Sequence, residues 1–350
     1  MSASTNALQD ELLITKPTLS VSFRLLLGLY AIIPLCLLLQ LADSWFWQGQ
    51  LKQSLPSSPN HFLLFQILFG TPHIIASTIV LVSNKDYLSH YRRKLLLMTA
   101  AIAIFFGIGS LFIPYRVLYV MVASWTVYHV LRQQHGIARG LCRLPNRAFQ
   151  LLLWLSIFAG VFIYIGIFMK NRLDIEQVEW LKHVVSGLCI SLVCASVLYQ
   201  RNCPTVFSKW FLWGNTFLIL SSFYFYLNQY YFLAILIPRL VHDATAYIFY
   251  VAHDYNKHRQ QPQNRLYRYA AKIHLPIFLV LPLLSFALTY FLQSYGDLTI
   301  SLISRTLFDT DIHKAVTLGL FGYLALMHYY TEAFTWKQDS PYRQFIAFKK

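Results

Sequence analysis

The chain has 350 residues, of which 57% are hydrophobic and only 12% charged, too little polar surface for a soluble globular domain. Its formal net charge of +15 is scattered through short loops rather than gathered in a basic domain, which argues against a nucleic-acid partner and for the loop bias that sets membrane topology. The cysteines, Cys36, Cys142, Cys189, Cys194 and Cys203, show no CxxC spacing, which disfavours cysteine-held zinc and a disulfide framework.

Residues 1–20 are polar and lack the charged start, short apolar core and small-residue cleavage site of a secretory signal, so they are expected to remain as a cytoplasmic N-terminal segment. Apolar runs long enough to cross a bilayer then recur at 22–42, 61–83, 94–113, 115–133, 149–169, 180–199, 207–226, 230–252, 274–294 and 313–335. They predict an all-α fold: a polytopic transmembrane bundle of about ten spans in one domain, 21–336, followed by a basic tail, 337–350. Alternate loops are basic, with "HYRRK" at 90–94, Arg132 to Arg147, Arg201 to Lys209, Lys257 to Lys272, and the tail on one side. The opposite loops carry Asp174, Glu176 and Glu179, or Asp297, Asp309 and Asp311. Because Lys and Arg are retained on the cytoplasmic side during insertion, both termini are expected there, in a bacterial inner membrane.

The histidines are unevenly placed. Those of "FGTPHIIAS" (His73), "WTVYHVLRQQHG" (His129), "LIPRLVHDATAYIFYVAHDYNKH" (His242 and His253) and "LMHYYTEAFTWK" (His328) lie in the second, fourth, eighth and tenth spans, which run in the same direction. Each falls in the middle or the cytoplasmic half of its span. Ionisable side chains at that depth are costly and face a cavity or a partner. Residues four apart share a helix face, which pairs His328 with Glu332, His129 with Gln133, and Arg239 with Asp243. His242 and His253 share a face too, but eleven residues separate them by about 16 Å, too far for one ion. Pro72 and Pro238 precede His73 and Arg239, where a proline can open the helix and free carbonyls beside a site.

This pattern nominates His73, His129, His242, His328 and His253 as metal ligands and Glu332 and Asp243 as acid–base groups. Gln133, Arg239, Asp254 and His135 are the residues expected to orient them. Imidazole and carboxylate donors without cysteine suit iron, with zinc, or no metal at all, as the alternatives. Tyr247, Tyr250, Tyr329 and Trp336 are candidates for a substrate wall.

The arrangement resembles that of membrane-bound multi-histidine non-haem iron oxygenases, and "FGTPHIIAS" is similar to the Gly-x-Pro-His motif of the Brp/Blh-type carotene dioxygenases. The HxxxH and HxxHH clusters of membrane desaturases and hydroxylases are absent. The resemblance implies an iron ligand at His73, further histidines from later helices, and oxygen-dependent cleavage of an isoprenoid. The resulting expectation is a membrane metal-dependent oxidoreductase that takes a hydrophobic lipid or isoprenoid from surrounding membrane lipids, with an electron-donor protein as a further partner. Two other classes compete. A proton-coupled transporter would use His242, Asp243, Arg239 and Asp254 as a relay, and a membrane transferase would use the basic loops to hold an anionic donor.

Overall fold

The computed structural model describes residues 19–260, 262, 264–337 and 339–349, so most of the expected N-terminal segment lies outside the described residues. The described chain is helical apart from one short strand pair. A strand at Ser20–Ser22 (β1) leads into helices Phe23–Trp45 (α1), Leu63–Ser83 (α2), Lys85–Ile102 (α3), Tyr115–Cys142 (α4), Asn146–Phe168 (α5) and Ile175–Asn202 (α6). Val206–Leu227 (α7), Tyr231–His258 (α8), Arg265–Lys272 (α9), Ile277–Phe308 (α10), Phe321–Thr335 (α11) and a strand at Ala347–Lys349 (β2) follow.

Every predicted span overlaps a helix, but only α1, α2, α5, α6, α8 and α10 are both long and apolar enough to cross a membrane, six among the described residues. The others are diluted for visible reasons. α3 opens on the polar "KDYLSHYRRK", α4 carries Arg132, Gln133, Gln134 and Arg139, and α7 carries Asn215, Ser221 and Ser222. α11 has only 15 residues, although a π-helical segment, Ala315–Leu320, precedes it.

α8 is the central helix: 72% of its most apolar stretch is buried, against 22% for α1 and for α10. On one side it meets the core made by α1, α4, α5, α6 and α7, and on the other the core made by α2, α3, α10 and α11. Glycines set the closest approaches in the first core. A Cβ on Gly166 of α5 would stand 2.4 Å from the Tyr226 hydroxyl of α7, and one on Gly214 of α7 would stand 2.9 Å from the Tyr30 ring of α1.

The expected basic tail folds back. β2 pairs in parallel with β1, Ser20 opposite Ala347 and Ser22 opposite Lys349, and the Phe23 and Phe348 rings stack at 4.9 Å. Asn256, near the end of α8, clips both strands' approaches: its amide donates to the Leu19 and Phe345 carbonyls at 2.8 Å and its Oδ1 accepts from the Leu19 N–H at 2.9 Å. Tyr342 and Ile346 are buried. The first and last described residues therefore lie together at one end of the bundle.

Candidate metal centre

The local fold of α2 turns on its proline. Pro72 has no N–H, and the turn before it widens into a π-helical segment, Gln66–Gly70, closed by Thr71 N–H donating to the Gln66 carbonyl at 3.0 Å. The Phe69 carbonyl is then taken by the His73 ring, whose Nδ1–H donates to it at 3.1 Å. In α8, Pro238 likewise leaves the Ala234 carbonyl without its helical donor, and the Ser222 hydroxyl of α7 fills the gap at 2.7 Å. A proline inside this buried helix is thus compensated from the neighbouring helix, and α8 continues unbroken through His242.

Four histidines from four helices meet at this level. The ring centroids of His73 and His328 are 4.9 Å apart, His129 and His242 4.7 Å, His129 and His328 5.1 Å, and His73 and His242 5.5 Å. All are buried, none more than 7% exposed. In each of two overlapping groups, His73 with His242 and His328, and His129 with His328 and Glu332, the potential ligand atoms lie within 4.8 Å of one another.

Hydrogen bonds decide which nitrogen faces inward. The His242 Nδ1–H donates to Gln133 Oε1 at 2.8 Å. His328 Nδ1 lies 3.0 Å from Ser77 Oγ, and that hydroxyl already donates its proton to the Ile74 carbonyl at 3.1 Å, so Ser77 accepts and His328 donates. With His73 tied to Phe69, three rings carry their proton on Nδ1 and keep the Nε2 lone pair free to ligate. The Nε2 atoms of His129, His242 and His328 are buried with no hydrogen-bond partner. Each such orphan costs about 1–3 kcal/mol, and here they converge.

The carboxylates take their places around these rings. Glu332 accepts from the Tyr250 hydroxyl at 2.7 Å and from the Gln133 amide at 3.4 Å, and lies 3.3 Å from His129 Nε2 and 3.9 Å from His328 Nε2. Asp243 lies 3.6 Å from His73 Nε2 and 3.7 Å from the Arg239 guanidinium, which in turn donates to Asn60 Oδ1 at 2.8 Å. The expected Arg239–Asp243 pair is therefore present.

Three nominated residues stand elsewhere. His253 belongs to neither ligand group: its Nε2 meets the Tyr87 hydroxyl of α3 at 2.9 Å and its ring stacks on Tyr342 at 4.9 Å. Three helical turns separate it from His242, so the two cannot share an ion. Asp254 accepts from the Tyr267 hydroxyl of α9 and lies 3.9 Å from His258. His135 meets Ser156 Oγ of α5 at 3.0 Å, on the side of α4 turned away from the other histidines. Conversely, Ser77 and Asn60 take part without being among the nominated residues. Ser77 follows His73 by four residues, the same spacing that pairs His129 with Gln133, so its signal was available. Asn60 reaches Arg239 across 179 residues and left none.

Compared with protein-family models, curated proteins and solved structures, the chain matches none of them.

Proposed function

We propose that this helical membrane protein is a metal-dependent oxidoreductase that holds non-haem iron and acts on a lipid or isoprenoid. The observation that carries the reading is the convergence of buried imidazoles: the Nε2 atoms of His129, His242 and His328 have no hydrogen-bond partner, and in His242 and His328 the opposite nitrogen is already anchored, by Gln133 and Ser77. A proton relay needs each nitrogen bonded to the next. Lone pairs that converge and are oriented from behind, as in His242 and His328, support a metal site instead.

The donor set fits a divalent transition metal: His73, His129, His242 and His328 offer imidazoles, Glu332 offers a carboxylate, and no cysteine is among them. Bound iron would supply the one-electron chemistry with dioxygen that protein side chains lack. The chain's own groups do the rest. Gln133 joins the site's parts, its Oε1 accepting from the His242 Nδ1–H while its amide N–H donates to Glu332. Tyr250 donates to Glu332 Oε1 and the Gln133 amide to Oε2, the oxygen beside His129, so the carboxylate is oriented at both oxygens. The Phe69 carbonyl holds the His73 ring from behind, while Asp243 lies on its Nε2 side, its charge offset by Arg239.

Elemental analysis of the protein purified in detergent tests the reading. Near-stoichiometric iron that is lost in a folded His242→Ala variant is the expected result. A folded wild-type chain that stays metal-free after anaerobic reconstitution with iron overturns it, and zinc alone would redirect it to a hydrolase.

A further inference from the structure

A cavity of about 790 Å³ opens from the metal centre, where His129, Gln133 and Glu332 form part of its lining. It follows α4. Trp125, Tyr128, His129, Arg132, Gln133, Gly136, Ile137, Gly140 and Leu141 recur at the three- and four-residue spacing of one helix face, so the cavity runs about 24 Å along the axis. Its floor is kept low by glycine: a Cβ at Gly136 or at Gly140 would meet nothing within 4 Å. α11 forms the facing wall with Tyr329, Ala333 and Trp336. The far end is made by Phe23, Phe348 and Arg343, the neighbourhood of the strand pair. Asn256, bonded to the Phe345 carbonyl, marks its depth at 14 residues beyond His242 on α8, about 21 Å.

Charge along this passage is one-sided. Arg132 lines it one turn from His129, Lys337 and Arg343 line it towards the strand-pair end, and the lining acid, Glu332, belongs to the candidate centre. Arg343 is held in place by the Phe348 ring, 4.8 Å from its guanidinium, and by donating to the Ile346 carbonyl. Partial burial lowers its pKa from the ordinary arginine value, so an anion seated beside it restores what desolvation costs. A guanidinium carries five donors in a planar fork that suits carboxylate or phosphate oxygens.

From these features we infer that the passage takes a single-chain amphiphile with an anionic head, the head held by Arg343 and Lys337 and the apolar chain laid over Gly140 and Gly136 towards His129 and Glu332. This rests on the metal-centre reading only for what happens at the inner end. Occupancy of the passage does not need the metal. A wholly apolar substrate would find three cations along its path, with no use for them.

The test uses the full chain in nanodiscs and a palmitic acid analogue with a diazirine at its chain end, alongside the same chain carrying a phosphate, an alcohol or a trimethylammonium head. Photolabelled residues are mapped by mass spectrometry, and metal content is measured on the same sample. The carboxylate and phosphate probes are expected to label the inner wall around Trp125, Tyr329 and Ala333, and the stronger of the two names the head. Neutral and cationic probes should label it about ten-fold less, the worth of one charge-assisted hydrogen bond. Arg343→Gln with Lys337→Gln should erase that preference, and Gly140→Trp should block labelling by every probe. Equal labelling by all heads in the wild-type protein, or unchanged labelling in folded Gly140→Trp, overturns the inference. Metal-free protein that still labels with anionic preference would sink the oxidoreductase reading and leave this one standing.

Discussion

At the scale of single residues, the candidate site is ordered by the atoms behind its histidines. Ser77 can orient His328 because its own proton is committed to Ile74, and Gln133 can orient His242 because its amide end is committed to Glu332. Losing an imidazole that points at the metal abolishes retention, whereas losing a group behind it weakens retention by about 10- to 100-fold. His242→Ala is therefore expected to lose its metal outright. Gln133→Leu and Ser77→Ala should keep it at saturating metal and release it faster to a chelator, which timed chelation followed by elemental analysis measures. His253→Ala should retain metal like the wild type, because its ring serves Tyr87 and Tyr342. Arg239 and Asp243 are a different kind of pair. Removing one partner of a buried ion pair costs about 3–5 kcal/mol, while replacing both with apolar residues of similar size is near neutral. Asp243→Leu alone should lower the unfolding temperature in detergent, and adding Arg239→Met should recover most of the loss. If the double variant is as unstable as the single, Arg239 is not what makes Asp243 necessary to the fold.

At the scale of elements, α8 is a helix with a fault repaired by its neighbour. The carbonyl of Ala234, deprived of a donor by Pro238, depends on Ser222 of α7. The dependence can be measured as a coupling. Ser222→Ala alone strands a buried carbonyl and is expected to cost about 1–3 kcal/mol. In a Pro238→Ala background a backbone N–H returns to that carbonyl, so the same Ser222→Ala change should cost much less. Additive effects in chemical unfolding would show that the two are independent. Between α5 and α7 the constraint is space: Gly166→Leu would drive a side chain into Tyr226, and overpacking of this kind costs about 1–3 kcal/mol. Much at this scale was legible in the chain. Apolar runs located the helices, because a bilayer leaves few other ways to satisfy a backbone. The deep histidines were legible for the same reason, since nothing cheap explains them. Less legible were the groups that sort one histidine from another. Tyr250 reaches Glu332 across 82 residues and Tyr87 reaches His253 across 166, and helical spacing carries no information over such distances. So the face shared by His242 and His253 was readable, while the different partners that give them different work were not.

At the scale of the whole molecule, the two cores on either side of α8 bring the second, fourth, eighth and eleventh helices to one depth, and the candidate metal centre occupies the seam. The strand pair lies far from that seam. Asn256→Ala, which removes the bonds to Leu19 and Phe345, is expected to make residues 339–345 more sensitive to protease and faster in hydrogen exchange while leaving metal content unchanged. Loss of metal in that variant would mean that the two ends of the passage are coupled. The pairing of Ser20 with Ala347 also sets a clock on assembly. A ribosome adds about 5–20 residues per second, so roughly 16–65 s pass between synthesis of the first strand and arrival of its partner. Throughout that interval α1 has entered the bilayer while Phe348, on which Phe23 comes to rest, has not been made. A nascent chain halted after α11 already contains every histidine of the candidate centre, yet it lacks Arg343, Ile346 and Phe348, the residues that give the passage its far end.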